Sequence, residues 1–243
     1  MRKIWAKLLE HLRITKMLEN QNEILNLQRE SLFAQRFNDS IQDSEWLKYR
    51  SFSPGGWAVD YGFLYVLFKS LNYMKPSKVI EFGLGQSSKM IHQYASYYQT
   101  DAITIEHDQE WVEFFQKDKQ GDYPVNIRLM DLEMIGYKGA ETRTYAGIDD
   151  CCAGKKYDLI VVDGPFGSDH YSRSQVIHLA KDNFAKTFCV IMDDTNRIGE
   201  KETLSELFSS LDDRNIEYCH RTYKSIKSFT VVCSKDLHFL TTL

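Results

Sequence analysis

Apolar positions in this chain gather into short runs whose ends are polar. Five of them, at 79–82, 102–106, 126–130, 158–162 and 188–192, contain an acid near the end or are followed by one: Glu81, Glu106, Asp131, Asp163 and the pair Asp193-Asp194. Unbroken apolar runs of this length predict strands buried on both faces. The stretches between them, 87–98, 108–118, 171–185 and 198–212, predict helices. Strand alternating with helix implies right-handed crossovers and a mostly parallel sheet. Two further runs, 216–222 and 228–233, are joined by a connection too short for a crossover helix, so they are expected to pair antiparallel. The fold class is therefore α/β, with seven strands closed by a late hairpin.

Outside these runs the pattern changes. Residues 1–16 carry Arg2, Lys3, Lys7, Arg13 and Lys16 against Glu10, a balance of five minus one or +4, with Ile4, Trp5, Leu8, Leu9 and Leu12 on one helical stripe. A basic amphipathic helix suits an anionic membrane surface, another subunit or the body of the protein. Leu18, Leu25 and Leu32 follow at heptad spacing beside Met17 and Ile24, while Gln21 and Gln28 interrupt the complementary seam. That spacing predicts a short coiled coil and hence a homo-oligomer. Residues 1–50 are thus expected to form a helical arm and 51–243 the main domain. Ser53-Pro-Gly-Gly56 reads as a turn, and 57–73 as an aromatic helix placing Trp57 and Tyr61 beside a pocket. The stretch 132–156 reads as a long loop carrying Tyr137, Arg143 and Tyr145 toward an acceptor.

The most specific local signal is Glu81-Phe-Gly83-Leu-Gly85-Gln-Ser-Ser88, a strand end, a two-glycine turn and a helix start. Glycines at 83 and 85 let the backbone bend and approach a ligand closely. A dinucleotide fingerprint wants a third glycine where Ser88 stands. A carboxylate at position 81 would repel a pyrophosphate but attract a cation, which favours S-adenosylmethionine over NAD. Glu106, 25 positions on, is placed to accept ribose hydroxyls, and Asp131 to meet the adenine edge, with His107 beside them.

On these residues the span from about 53 to 235 resembles the class I S-adenosylmethionine-dependent methyltransferases. Glu81-x-Gly83-x-Gly85 with Ser87 resembles that family's first motif, Glu106 its ribose-binding acid and Asp163 its fourth-motif acid. Within the class, Phe82-Gly-Leu-Gly85, Val162-Asp-Gly-Pro-Phe-Gly167 and Asp194-Thr-Asn-Arg197 resemble plant polysaccharide methyltransferases that methylate glucuronic acid in xylan. The resemblance implies a Rossmann-like methyltransferase sandwich, S-adenosylmethionine as cofactor and a sugar hydroxyl as acceptor.

A comparison with catechol-type O-methyltransferases adds a metal. Asp163, Asp193 and Asp194 occupy places similar to those enzymes' magnesium ligands, and a hard divalent cation prefers such oxygens. Gly164 and Pro165 stand where those enzymes carry a lysine. The alternative roles are ordinary ones, Asp193 capping a helix and Asp194 pairing with Arg197. His170, in a loop after the fourth strand, is the expected general base, with Asp163 its alternative. Arg173, Arg197 and Tyr137 are the expected substrate-binding residues, the arginines for a sugar carboxylate.

Composition trims the options. A formal charge of −4 argues against a general nucleic-acid binder. Five cysteines without metal or disulfide spacing suggest reduced thiols and a cytoplasmic protein, with any membrane contact peripheral, on the inner surface through residues 1–16. No signal-peptide core or bilayer-length apolar run is expected. Two other classes stay open: an NAD-linked oxidoreductase on the same architecture, and a non-catalytic adaptor using the arm.

Overall fold

The computed structural model describes residues 2–243, with side chains from Arg13 onward. The stripe of Ile4, Trp5, Leu8, Leu9 and Leu12, and with it the membrane-surface expectation, lies outside the described side chains.

Seven strands form one sheet, as the apolar runs predict. They are β1 (Lys78–Phe82), β2 (Asp101–Glu106), β3 (Ile127–Leu129), β6 (Tyr157–Val162), β7 (Phe184–Met192), β8 (Tyr218–Lys224) and β9 (Ser228–Ser234), with β4 and β5 elsewhere. Their spatial order is β3-β2-β1-β6-β7-β9-β8. Pairing is parallel from β3 through β7, and β9 returns antiparallel between β7 and β8. The order therefore reverses between β1 and β6, the position where open α/β sheets leave a crevice at the strands' carboxyl ends.

Alternation along the strands sorts the core into two faces. Val79, Leu159, Val161, Cys189, Ile191, Val231 and Cys233 pack in one buried cluster with α2 (Tyr61–Lys69) and α3 (Gln86–Tyr98). Ile80, Phe82, Ile160, Val162, Val190, Met192 and Val232 pack on the opposite side with α6 (Gln175–Asp182) and α7 (Ile198–Asp213). Burial on both sides explains why these strands read as continuous apolar runs. A smaller cluster joins Leu84 to Val112 and Phe115 of α4 (Gln109–Asp118).

Several expected boundaries move. The segment 132–156 is not a loop: β4 (Leu132–Tyr137) and β5 (Ala140–Tyr145) form an antiparallel hairpin, followed by α5 (Ile148–Cys152). Its two-residue turn, Lys138-Gly139, has φ of 48° and 84°, the doubly left-handed geometry that matches strand twist. The helix expected over 171–185 shrinks to α6, because Tyr171 and Arg173 have φ of 46° and 62°, which no helix admits, and β7 already begins at Phe184. The aromatic helix begins only at Tyr61, where Asp60 caps it by accepting from the Phe63 amide at 2.9 Å. Trp57 is left in the preceding turn at 92% exposure, its carbonyl accepting from Lys227 Nζ at 3.3 Å, and Tyr61 packs on Phe37.

The arm is a single helix, α1 (Arg2–Ile41). Its foot belongs to the main core: Phe37 and Ile41 are buried with Trp46 and Leu47, which the expected division at residue 50 assigns to the arm. Among the described residues no helix is long and apolar enough to cross a membrane.

Candidate functional site

The β1/β6 reversal, where this topology is expected to leave a crevice, is shaped by two glycines packed back to back. Gly83 has φ +93°, and a Cβ there would stand 2.9 Å from the Gly164 amide nitrogen and 3.0 Å from the Asp163 carbonyl carbon. A Cβ on Gly164 would in turn meet the Gly83 Cα at 2.9 Å and the Tyr145 hydroxyl at 2.7 Å. Gly85 is different. It is the N-cap of α3 with extended backbone, and a Cβ there would have nothing within 4 Å. The first glycine lets two strand ends touch, and the second leaves open space at a helix N-terminus, where anions or polar ligand atoms are favoured.

Glu81 lies beneath this turn, fully buried. Its Oε2 accepts from Thr104 Oγ1 at 2.7 Å, and Thr104 Oγ1 is in turn 2.8 Å from His92 Nε2. Its Oε1 has no hydrogen-bond partner. Burial pushes the carboxyl up to about 7, against nearby hydroxyls of Ser87, Ser88 and Thr104 that favour the ionised form, with Glu106 adding a smaller upward push. Ser87 is thus turned inward to Glu81, and Ser88, absent from the expected site, also accepts from the Gly85 amide at 2.9 Å. Burial lowers His92 to about 4, so the imidazole is neutral at physiological pH.

Glu106 closes the turn from β2. Its Oε2 accepts from the Leu84 amide at 2.9 Å, and its Oε1 from the amides of His107 at 2.6 Å and Asp108 at 3.0 Å. A carboxylate offers about four lone-pair directions, so capacity remains for a further donor. His107 Nδ1 lies 2.8 Å from Glu106 Oε1 without forming a hydrogen bond, and its ring packs edge-on to Phe166 at 4.8 Å. Asp131 is exposed just after β3.

The second half of the crevice is acidic. Asp163, Asp193 and Asp194 each present an oxygen within 4.8 Å of the others. Burial raises Asp163 toward neutral pH, partly offset by Arg173 and Lys227. Burial, then Asp163 and Asp194, raises Asp193 well above the usual carboxylate range, and neither of its oxygens has a hydrogen-bond partner. Glu200, 1% exposed, is a fourth acid here and accepts from Ser172 Oγ at 2.9 Å.

Arg173 corrects an expectation. Placed by the sequence pattern at a substrate carboxylate, it instead lies buried beneath the acids. Its Nη2 is 2.8 Å from Asp194 Oδ2 and 3.4 Å from Asp163 Oδ1, and its Nη1 donates to the Asp193 carbonyl at 2.9 Å. The positive φ of residue 173 turns the side chain inward, where burial opposes its charge but Asp163, Asp194, Asp193 and Glu200 more than compensate. Arg197, half exposed, reaches Asp194 Oδ2 at 3.0 Å, and Lys227 of the β8–β9 turn lies 3.6 Å from Asp193 Oδ2. Four acids face three bases. That is an excess of one negative charge, and Asp193 is the acid whose surroundings most favour keeping its proton.

His170 and Tyr137 sit apart from this cluster. His170 Nδ1 is 3.0 Å from Glu202 Oε1 on α7, and Tyr137 donates to Glu206 Oε2 at 3.2 Å while meeting Tyr171 edge-on at 5.0 Å. His170 is more than half exposed and is held by Glu202 rather than by the aspartates. Tyr145 is the reverse case: fully buried, it stacks on Phe82, and its hydroxyl has no partner. That hydroxyl lies near enough to feel Glu106, Arg173, Asp163 and Glu81.

Comparison with known proteins finds likenesses among solved structures alone and shows no family for this chain. No family model matches the chain, and no curated protein matches it significantly. Among solved structures, precorrin-6y C5,15-methyltransferase from Geobacter metallireducens GS-15 is 12% identical, with a TM-score of 0.46 over 76% of this chain and 94% of that one. A methyltransferase from Pyrococcus furiosus is 11% identical, with a TM-score of 0.41 over 85% and 98%. The plantazolicin methyltransferase BpumL, solved with SAH, is 10% identical, with a TM-score of 0.42 over 91% and 99%. At such TM-scores and identities the likenesses carry no argument about activity.

Proposed function

We propose that the chain is an S-adenosylmethionine-dependent O-methyltransferase whose acceptor is a hydroxyl of a saccharide or glycoconjugate. The observation that carries this reading is Glu81, a fully buried carboxylate with one oxygen unpartnered under a glycine turn. Leaving one oxygen of a buried carboxylate unpaired costs about 1–3 kcal/mol, so a cationic donor group on a ligand is the natural complement. S-adenosylmethionine brings a sulfonium and an ammonium, whereas the pyrophosphate of NAD brings charge of the wrong sign. When bound it supplies an electrophilic methyl group. The chain's own residues do the rest: Glu81 holds the cationic end, Gly85 leaves room at the start of α3, and the remaining capacity of Glu106 suits a ribose hydroxyl.

Methyl transfer to oxygen requires the acceptor aligned and relieved of its proton. Asp163, with its affinity for protons raised toward neutrality, is the better-placed base, since His170 is committed to Glu202. A divalent cation such as magnesium fits the same place. Asp193 offers both oxygens, and Asp163 and Asp194 each keep one that Arg173 does not take. Three carboxylates would hold a hard cation, which lowers the acidity threshold of a hydroxyl. The saccharide acceptor is supported by the runs Phe82–Gly85, Val162–Gly167 and Asp194–Arg197, which resemble polysaccharide methyltransferases.

Calorimetric titration with S-adenosylmethionine and with NAD, followed by mass spectrometry of uronic-acid oligosaccharides incubated with the chain and cofactor, tests the reading. Binding of the first alone and a methylated sugar are expected; no heat with S-adenosylmethionine at millimolar concentration would overturn it. Turnover that survives exhaustive chelation assigns deprotonation to Asp163 without a cation. The two glycines give a contrast. Gly85→Ala is expected to melt within about 1 kcal/mol of the native chain, because space is open there, yet to weaken cofactor binding at least ~10-fold. Gly83→Ala forces a left-handed Cβ against main chain and is expected to cost about 1–3 kcal/mol in a urea melt.

A further inference from the structure

Helix α1 changes character along its length. From Arg13 to Arg29 it contains no buried residue, a rod of about 25 Å at 1.5 Å per residue. Below that its foot is anchored. Glu30 Oε1 accepts from the Tyr61 amide at 2.8 Å, Phe33 packs 6.0 Å from Tyr65, and Phe37 and Ile41 are buried.

The upper part nevertheless carries an apolar face. Ile14, Met17, Leu18, Ile24, Leu25 and Leu32 are 46–56% exposed. At 3.6 residues per turn they form one stripe, centred about 150° around the helix from the anchoring line of Glu30, Phe33, Phe37 and Ile41. The stripe thus faces away from the body, and the anchored foot prevents the helix from rolling to bury it.

We propose that the stripe is covered by the same stripe of a second copy of this chain, in a two-helix coiled coil centred near Leu25. Three features favour this occupant over a lipid surface. Gln21 and Gln28 lie along the middle of the stripe, where they would be stranded in acyl chains but can pair with each other across two helices. Between residues 13 and 32, Arg13, Lys16 and Arg29 balance Glu19, Glu23 and Glu30, so this segment lacks the basic polar face that anionic lipid recruits. Six half-exposed side chains also remove about 500 Å² per helix, or about 1,000 Å² in all, the size of a reversible dimer interface.

The full chain is used for the test, in light scattering after size exclusion. The native protein is expected to weigh twice its 28.4 kDa chain mass, and Leu25→Glu to weigh one chain mass with an unchanged circular dichroism melt of the body. Leu25→Cys is expected to form a disulfide-linked dimer under mild oxidation, while Glu23→Cys on the opposite side is not. A native monomer at tens-of-micromolar concentration, a Leu25→Glu dimer, or equal cross-linking at 23 and 25 would each overturn the proposal. Recovery of the native chain on anionic vesicles in place of self-association would do so as well.

Discussion

Glu81→Gln is expected to stabilise the unliganded protein at pH 8 while removing most of its affinity for S-adenosylmethionine. The reason lies in the proton balance. Burial raises the Glu81 carboxyl from 4.5 to about 7 in the folded chain. Between those values the unfolded chain has released this proton and the folded chain retains it, so stability falls as pH rises through the window. Above it the full cost stands, about 3 kcal/mol at 1.36 kcal/mol per pKa unit. Glutamine keeps an acceptor for Thr104 and has nothing to ionise. The variant and the native chain should therefore melt alike near pH 4 and diverge by several degrees at pH 8, the variant higher. Calorimetric titration at pH 8 should show the cofactor affinity of the variant reduced at least ~10-fold, the equivalent of 1.4 kcal/mol. A variant that melts lower at pH 8, or binds the cofactor as the native chain does, would refute the role given to this carboxylate.

Arg173→Met should be the most damaging side-chain replacement in the crevice. It leaves Asp163, Asp194 and Glu200 without the buried cation that now lies 2.8–3.9 Å from them. Removing one partner of a buried ion pair costs about 3–5 kcal/mol, because the charges left behind stay desolvated. Denaturant melts at neutral pH should show a loss of that size, shrinking on acidification as the carboxyls take up protons. If the acids form a cation site, magnesium should restore more stability to Arg173→Met than it adds to the native chain, since a ligand that binds only the folded state stabilises by mass action. A variant that melts with the native chain would show that Arg173 does not hold the cluster together.

How far the sequence disclosed this molecule depended on what each residue's neighbours had to be. The runs ending in Phe82, Glu106, Val162 and Met192 were legible because parallel strands covered on both faces leave little room for polar residues. Since ligands gather where such strands end, the acids at 81, 106, 163, 193 and 194 were legible with them. The hairpin of β4 and β5 was not, because Met134 is exposed and Lys138 stands at a left-handed turn position usually taken by Asn, Asp or Gly. Arg173 was misread for a related reason: a positive φ at a non-glycine residue is set by tertiary packing and leaves no local signature. The chain of Glu81, Thr104 and His92 joins residues 12 and 23 positions apart through strand pairing and helix docking, so no short motif announces it. Lys227 reaches Asp193 only because β9 inserts beside β7, which a strand count alone does not reveal.

The contact between Gly83 and Gly164 bears on descent. Each would drive a Cβ into the other's main chain, and main chain is the one part of a neighbour that no second mutation can trim. Neither site can be rescued by compensation. Across relatives that keep this crevice, both positions should persist as glycine even where the surrounding acids have drifted to suit another acceptor.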